Sequence, residues 1–130
     1  MFDTKTVRTE AERRALGQIV TMILEAWELQ PAEQAIMLGL QCDLVARLPS
    51  YRTGTRPLPD STEILERAGY LVAIHHALGR VFPGNPDERY EWVRQPNRRF
   101  CAGRLPIDMM LDGGLPAIEQ VERVVQSLLR

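Results

Sequence analysis

The 130-residue chain has few of the groups that chemistry usually needs. Its two cysteines, Cys42 and Cys101, lie in different segments without metal or disulfide spacing, a usage that fits a reduced cytoplasm better than a secreted scaffold. Its two histidines, His75 and His76, are adjacent. On a helix such neighbours point about 100° apart and cannot clamp a metal as an i, i+4 pair does. No nucleophile elbow, P-loop or dinucleotide fingerprint occurs. Catalysis, metal binding and cofactor binding are therefore not expected. The net charge of -1 and pI near 6.1 argue against a generally basic nucleic-acid binder. The longest uncharged run, Ala68 to Gly79, is well short of the roughly 20 residues a membrane span needs. Met1 to Glu10 is too polar for a signal peptide, so a soluble cytoplasmic protein is expected. Segments of strand period are missing too, which leaves an all-α fold.

What is present is amphipathic helix. Residues 1 to 9 lack periodicity and read as a frayed arm. Thr9 and Glu12 form a capping box, and Leu16, Ile19, Val20, Ile23, Leu24 and Trp27 recur at helical spacing, predicting a helix over 10–28. Pro31 opens a second helix, 31–39, with Ala35, Ile36 and Leu38 inward. Gly39 ends it, and a third follows over 41–48 with Leu44, Val45 and Leu48, stopped by Pro49. Helix, glycine turn, helix is the pattern of a helix-turn-helix lobe. Pro49 to Asp60 reads as a loop. No acid occurs from Leu44 to Pro59, so Gln41, Arg47, Arg52 and Arg56 are the candidate DNA contacts, although Asp43 in the first turn opposes phosphate. A degenerate lobe kept for packing or dimerisation is the competing reading.

The longest helix is predicted over 61–82 and is apolar on two sides. Ile64, Leu65, Ala68, Leu71, Val72, His75, Leu78 and Phe82 form one face, and Tyr70, Ile74, Ala77 and Val81 the other. Such a helix is usually buried on two sides, so it is expected to be a spine shared by lobes 1–60 and 61–130. Beyond it, Asn85-Pro86 starts a short helix carrying Tyr90, Trp92 and Val93 that stops at Pro96-Asn97. Pro106 starts another, with Ile107, Met110 and Leu111 on one face, ended by Gly113-Gly114. Pro116 opens a last helix through Ile118, Val121, Val124, Val125, Leu128 and Leu129. Arg94, Arg98, Arg99 and Arg104 crowd the intervening loop, with Trp92, Phe100, Met109 and Met110 close by. Arginine, aromatic and methionine side chains are the composition of an interface core.

The ordered set Trp92, Pro96-Asn97, Phe100, Gly103, Pro106, the Met-Leu pair and a glycine, then one amphipathic helix, resembles the toxin-binding domain of the Xre/MbcA/ParS antitoxins. The likeness extends upstream through Tyr70-Leu71-Val72 and the Leu78 to Pro83 run, and covers roughly residues 61 to 130. It implies an all-helical antitoxin of a type II toxin-antitoxin system with an Xre-like N-terminal lobe. Its partner would be a RES-domain toxin that consumes NAD, and repression of its own operon through operator DNA is a further expectation; a homodimer is expected from the apolar stripes and the small helix-turn-helix lobe. The resemblance gives Arg94, Asn97, Arg98, Arg99, Phe100, Arg104, Leu105, Pro106, Met109, Leu129 and Arg130 to the toxin. In such antitoxins the last residues often reach toward the toxin's NAD pocket. Here the chain departs from that pattern: it stops at Leu128-Leu129-Arg130, so the plug is expected to be absent or reduced to Arg130, and inhibition would then work by blocking the pocket's rim or by holding the toxin in an assembly. A helix-turn-helix transcription regulator without a toxin is the alternative.

Overall fold

The computed structural model describes residues 9–99 and 101–129, so the arm expected over residues 1–9, apart from Thr9, and the sites at Phe100 and Arg130 lie outside the described residues. Every regular element among those residues is helical. In chain order they are α1 (Glu10–Ala26), α2 (Pro31–Leu38), a 3-10 helix (Cys42–Arg47), α3 (Leu48–Thr53), α4 (Thr62–Val81), α5 (Pro86–Glu91), a 3-10 turn (Trp92–Arg94) and α6 (Pro106–Ser127).

Local chemistry accounts for most of the boundaries. Thr9 caps α1 by accepting from the Glu12 amide at 3.1 Å, and its hydroxyl donates to the Glu12 carboxylate at 2.8 Å. Ser61 caps α4 in the same way through the Ile64 amide, and Asn85 caps α5 through Glu88. Gly39 closes α2 in the left-handed conformation that relieves the last carbonyls.

α4 is the centre of the packing: it lies against α1, α2, α5 and α6. Ile64, Leu65, Ala68, Leu71, Ile74, His75, Ala77 and Leu78 are buried along it, and Tyr70, Val72, Val81 and Phe82 pack on the same core at its margins. Trp27, at the end of α1, is fully buried, and its truncation to alanine should cost about 3–5 kcal/mol.

The segment after α2 departs from expectation. No α-helix spans 41–48. Six residues, Cys42–Arg47, form a 3-10 helix with no fully buried side chain, which leads directly into α3. Pro49 does not stop a helix. It occupies the first turn of α3, where its missing N–H costs nothing. The stretch 49–60 is therefore not all loop, since α3 carries the buried Leu48 and Tyr51, and Leu58 beyond it is fully buried. On α2, Met37 takes the interior place expected for Ile36, which is 53% exposed. A helix of eight residues turns only some of its apolar side chains inward, and Ala35, Met37 and Leu38 fill that arc. Ile19 on α1 is likewise exposed.

The expected break at Gly113-Gly114 falls at Gly114. It has φ 67 and ψ -151 inside the α6 span, a conformation almost confined to glycine. Pro116 stands just past the break, in the first turn of the second half.

Candidate protein-interaction site

The region around α5 and the kinked α6 is assembled from close approaches. Gly79 near the end of α4 has no Cβ, and the Arg89 guanidinium fills that space; an added Cβ would lie 2.6 Å from Arg89 Cζ. Arg89 Nε then donates to the His75 carbonyl at 3.1 Å, which fixes α5 on α4. The Tyr90 ring packs 5.3 Å from the His75 ring. Burial pushes the His75 imidazole down to about 4, helped by the Arg89 charge and by His76. Its Nδ1 is buried and finds no partner among the described residues. His75 is thus a neutral packing group, as its place on the apolar stripe suggested.

Past Val93, which is fully buried, the chain closes a tight loop on Asn97. The Asn97 carbonyl accepts from the amides of Cys101 and Gly103, both at 3.0 Å, and its own amide donates to the Arg104 carbonyl at 3.1 Å. Ala102 and Gly103 are consecutive residues of positive φ, 52° and 83°, and this turns the chain back sharply. Cys101 is buried inside the loop, and burial raises its thiol against the opposing pull of Arg104. A buried, protonated thiol is a packing group and a poor nucleophile.

The predicted contact residues separate on this frame. Arg98, Arg99 and Arg104 are exposed on the loop, and Leu105 and Met109 are half-buried beside it. Pro106 is buried and starts α6, and Asn97 acts through its backbone as the loop's staple. Leu129 is half-buried and packs against the core. Two of the arginines already hold carboxylates. Arg104 pairs with Asp112 at 2.5 Å, and Arg94 pairs with Glu28 of the α1–α2 turn. Glu28 has a positive φ of 62° and was not singled out by any sequence pattern. This pair edges a pocket of about 240 Å³ that also takes in Trp27, Glu33, Leu105 and Asp108.

A second unforeseen residue is Arg67 of α4. Its guanidinium donates to the Ile36 carbonyl at the end of α2 and to Glu63, both at 3.3 Å. It lies against Gly39 and Gly114, two of the glycines of positive φ. The last turn of α2 and the kink of α6 thus share one cation, which is favourable beside the unpaired carbonyls of a helix end.

The candidate DNA contacts are dispersed. Gln41 precedes the 3-10 helix, Arg47 ends it, Arg52 is on α3 and Arg56 follows the Gly54 turn; all four are exposed. Arg52 Nε bonds Glu25 at 2.6 Å at the edge of a groove of about 390 Å³ between α1, α2 and α3. Among the described residues no three His, Cys, Asp or Glu side chains gather to hold a metal, and no helix is long and apolar enough to cross a membrane.

No curated protein matches the chain. The family comparison falls on the part just described, less than half of the chain: residues 77–128, from the last turn of α4 through α5, the Asn97 loop and the kinked α6, match the model of the antitoxin Xre/MbcA/ParS C-terminal toxin-binding domain.

Proposed function

We propose that this protein is the antitoxin of a type II toxin-antitoxin system. It would bind its toxin through the surface formed by the Asn97 loop and the first half of α6. The observation that carries the reading is the match over residues 77–128, which contains the elements that build that surface. The toxin-facing side chains are Arg94, Arg98, Arg99, Arg104, Leu105 and Met109, with Leu129 near the end of α6. Phe100 and Arg130, outside the described residues, are assigned to the toxin by the resemblance alone. Asn97 and Pro106 serve it by setting the loop and the helix start. The proposed partner is a RES-domain toxin that consumes NAD, and the antitoxin acts as a homodimer.

The test is co-expression with the product of the neighbouring open reading frame, reading growth and co-purification together. Rescue of growth with a stable complex is expected. Rescue that survives replacement of Arg98, Arg99 and Arg104 by alanine would overturn the assignment of the surface. Binding to its own promoter is a second role, supported by the exposed Arg47 and Arg56 and by the acid-free stretch from Leu44 to Pro59. With a 3-10 helix in place of the expected third helix, it would act through phosphates and be steeply salt-dependent.

A further inference from the structure

The α1–α2 turn meets the start of α6 at the pocket of about 240 Å³, and the charges around this pocket do not balance. Arg94, Leu105, Ile107, Asp108 and Leu111 come to it from the part that matches the toxin-binding domain, whereas Trp27, Glu28 and Glu33 lie outside that match. Leu105 and Leu111 are half-buried apolar walls, and Trp27 and Ile107 are buried. Arg94 neutralises Glu28. Two carboxylates are left over. Glu33 is half-buried and accepts from the neutral Gln30 amide at 2.9 Å, so its charge stays uncompensated. The exposed Asp108 carboxylate has neither an ion pair nor a hydrogen bond among the described residues. It stands in the first turn of α6, where the free amides of a helix tolerate a negative charge without a cation.

Apolar walls beside two uncompensated negative charges fit one kind of side chain, a hydrocarbon stem with a cation at its tip, as in arginine and lysine. Size favours a side chain over a free ligand, since small-molecule sites usually run to about 300–1,000 Å³. A neutral apolar occupant would cover both carboxylates without pairing them, and an acidic one would add a third unpaired charge. Trp27 is a second observation. It has no exposed surface, it lines the pocket, and its indole N–H is a buried donor without an acceptor among the described residues. Such a donor calls for an explanation, and a carbonyl brought in by the occupant supplies one. The neighbouring Asn97 loop presents the opposite sign, through the exposed Arg98, Arg99 and Arg104. A basic loop beside an acidic pocket demands acid beside base on the partner, and that fixes the register of docking.

We propose that this pocket receives an arginine or lysine side chain of the toxin, with its cation between Glu33 and Asp108. The inference rests on the antitoxin reading. It extends the partner surface beyond the matched domain, to the α1–α2 turn and the first turn of α2. Arg94, by holding Glu28, leaves Glu33 and Asp108 to the incoming cation.

The test is titration calorimetry of the full-length chain with the product of the neighbouring open reading frame, at several salt concentrations. Glu33→Gln and Asp108→Asn each remove one charge and keep the side chain's shape. Each should weaken binding about tenfold or more and flatten its salt dependence, with circular dichroism unchanged. Asp43→Asn makes the same charge change on an exposed residue of the 3-10 helix, away from the pocket, and should leave binding alone. Asp108→Arg should abolish binding, and reversal of one exposed arginine or lysine of the toxin to glutamate should restore it. Wild-type affinity in both neutralised variants, or an equal loss in Asp43→Asn, overturns the pocket while keeping the antitoxin reading. Failure of every toxin reversal to restore binding overturns the basic occupant. A wild type that forms no complex overturns the antitoxin reading and this inference with it.

Discussion

Residues 42–58 and residues 92–114 are built from similar parts, yet they make different surfaces. Each contains a 3-10 segment, a proline in the first turn of an α-helix and a glycine of positive φ. In the first region the short pieces fold inward: Leu48, Tyr51 and Leu58 are buried against α1, and Gly17 of α1 lies close to Leu58 and Tyr51. In the second region the loop closes on its own backbone through Asn97, so Arg98, Arg99 and Arg104 stay outside. An apolar anchor every few residues turns a broken helix into core. In the second region Val93, Cys101, Ile107 and Met110 are anchors too, and the self-bonded turn between them puts its arginines on display. That difference is the physical reason to seek the partner surface in the second region.

Acid should separate the two regions most strongly. His75 ordinarily titrates near 6.5 but is held down to about 4 under α5. Below about pH 6.5 the unfolded chain takes up a proton that the native site refuses. Stability therefore falls as the pH drops from about 6.5 to about 4 and is level with respect to this group outside that window. At about 1.4 kcal/mol per unit the loss is about 3 kcal/mol at most. Urea midpoints against pH measure it, and His75→Leu should flatten the acid limb. Hydrogen exchange in that window should rise in α5 before α1 or α3. A uniform rise along the chain would dissolve the contrast.

The two glycines against Arg67 sharpen the comparison next. Gly114 has a ψ that other residues scarcely adopt, so Gly114→Ala should cost about 2–3 kcal/mol. It should also straighten α6 and weaken toxin binding. Gly39→Ala keeps the accessible left-handed region, with φ 75 and ψ 23, at a cost of about 1–2 kcal/mol. Its Cβ would meet only the flexible Arg67 side chain, 3.0 Å away at the nearest. Gly39→Ala should leave growth rescue intact. Thermal melts and the rescue assay decide both, and equal effects on rescue would mean that the kink has no special part in binding.

Much of this architecture was legible from spacing. The caps at Thr9, Ser61 and Asn85, the two-sided spine and the break at Gly114 follow from residue chemistry within one turn. Pro49 shows where such reading fails. Proline both ends helices and begins them: from spacing Pro49 reads as an end, whereas Pro86 and Pro106 read as beginnings. The decisive signals were present: Tyr51 stands three residues after Leu48, on the same face, and Gly54 then closes the turn. Other parts had no local signal. Arg67 reaches Ile36 and Gly114, and Glu28 reaches Arg94, across distances in sequence that no periodicity encodes. Ile19 belonged to the apolar pattern, yet the pattern is wider than the core can cover, and so it emerges on the surface.

The smallest expected effects on stability divide function most cleanly. Arg52–Glu25 and Arg94–Glu28 each tie a region to α1 or its exit, and all four side chains are at least 40% exposed. Exposed pairs contribute about 0–1 kcal/mol, because water screens the charges and ordering two long side chains opposes the gain. Arg52→Ala and Arg94→Ala should therefore melt within a few degrees of the parent. Their functional readouts should nevertheless diverge. Arg94→Ala removes a cation from the proposed partner surface and should weaken co-purification of the toxin. Arg52→Ala, combined with Arg47→Ala, should reduce promoter binding, lessen its salt slope and leave neutralisation intact. Loss of neutralisation in the Arg47/Arg52 variant, with circular dichroism unchanged, would mean that the inward-folded region also touches the partner.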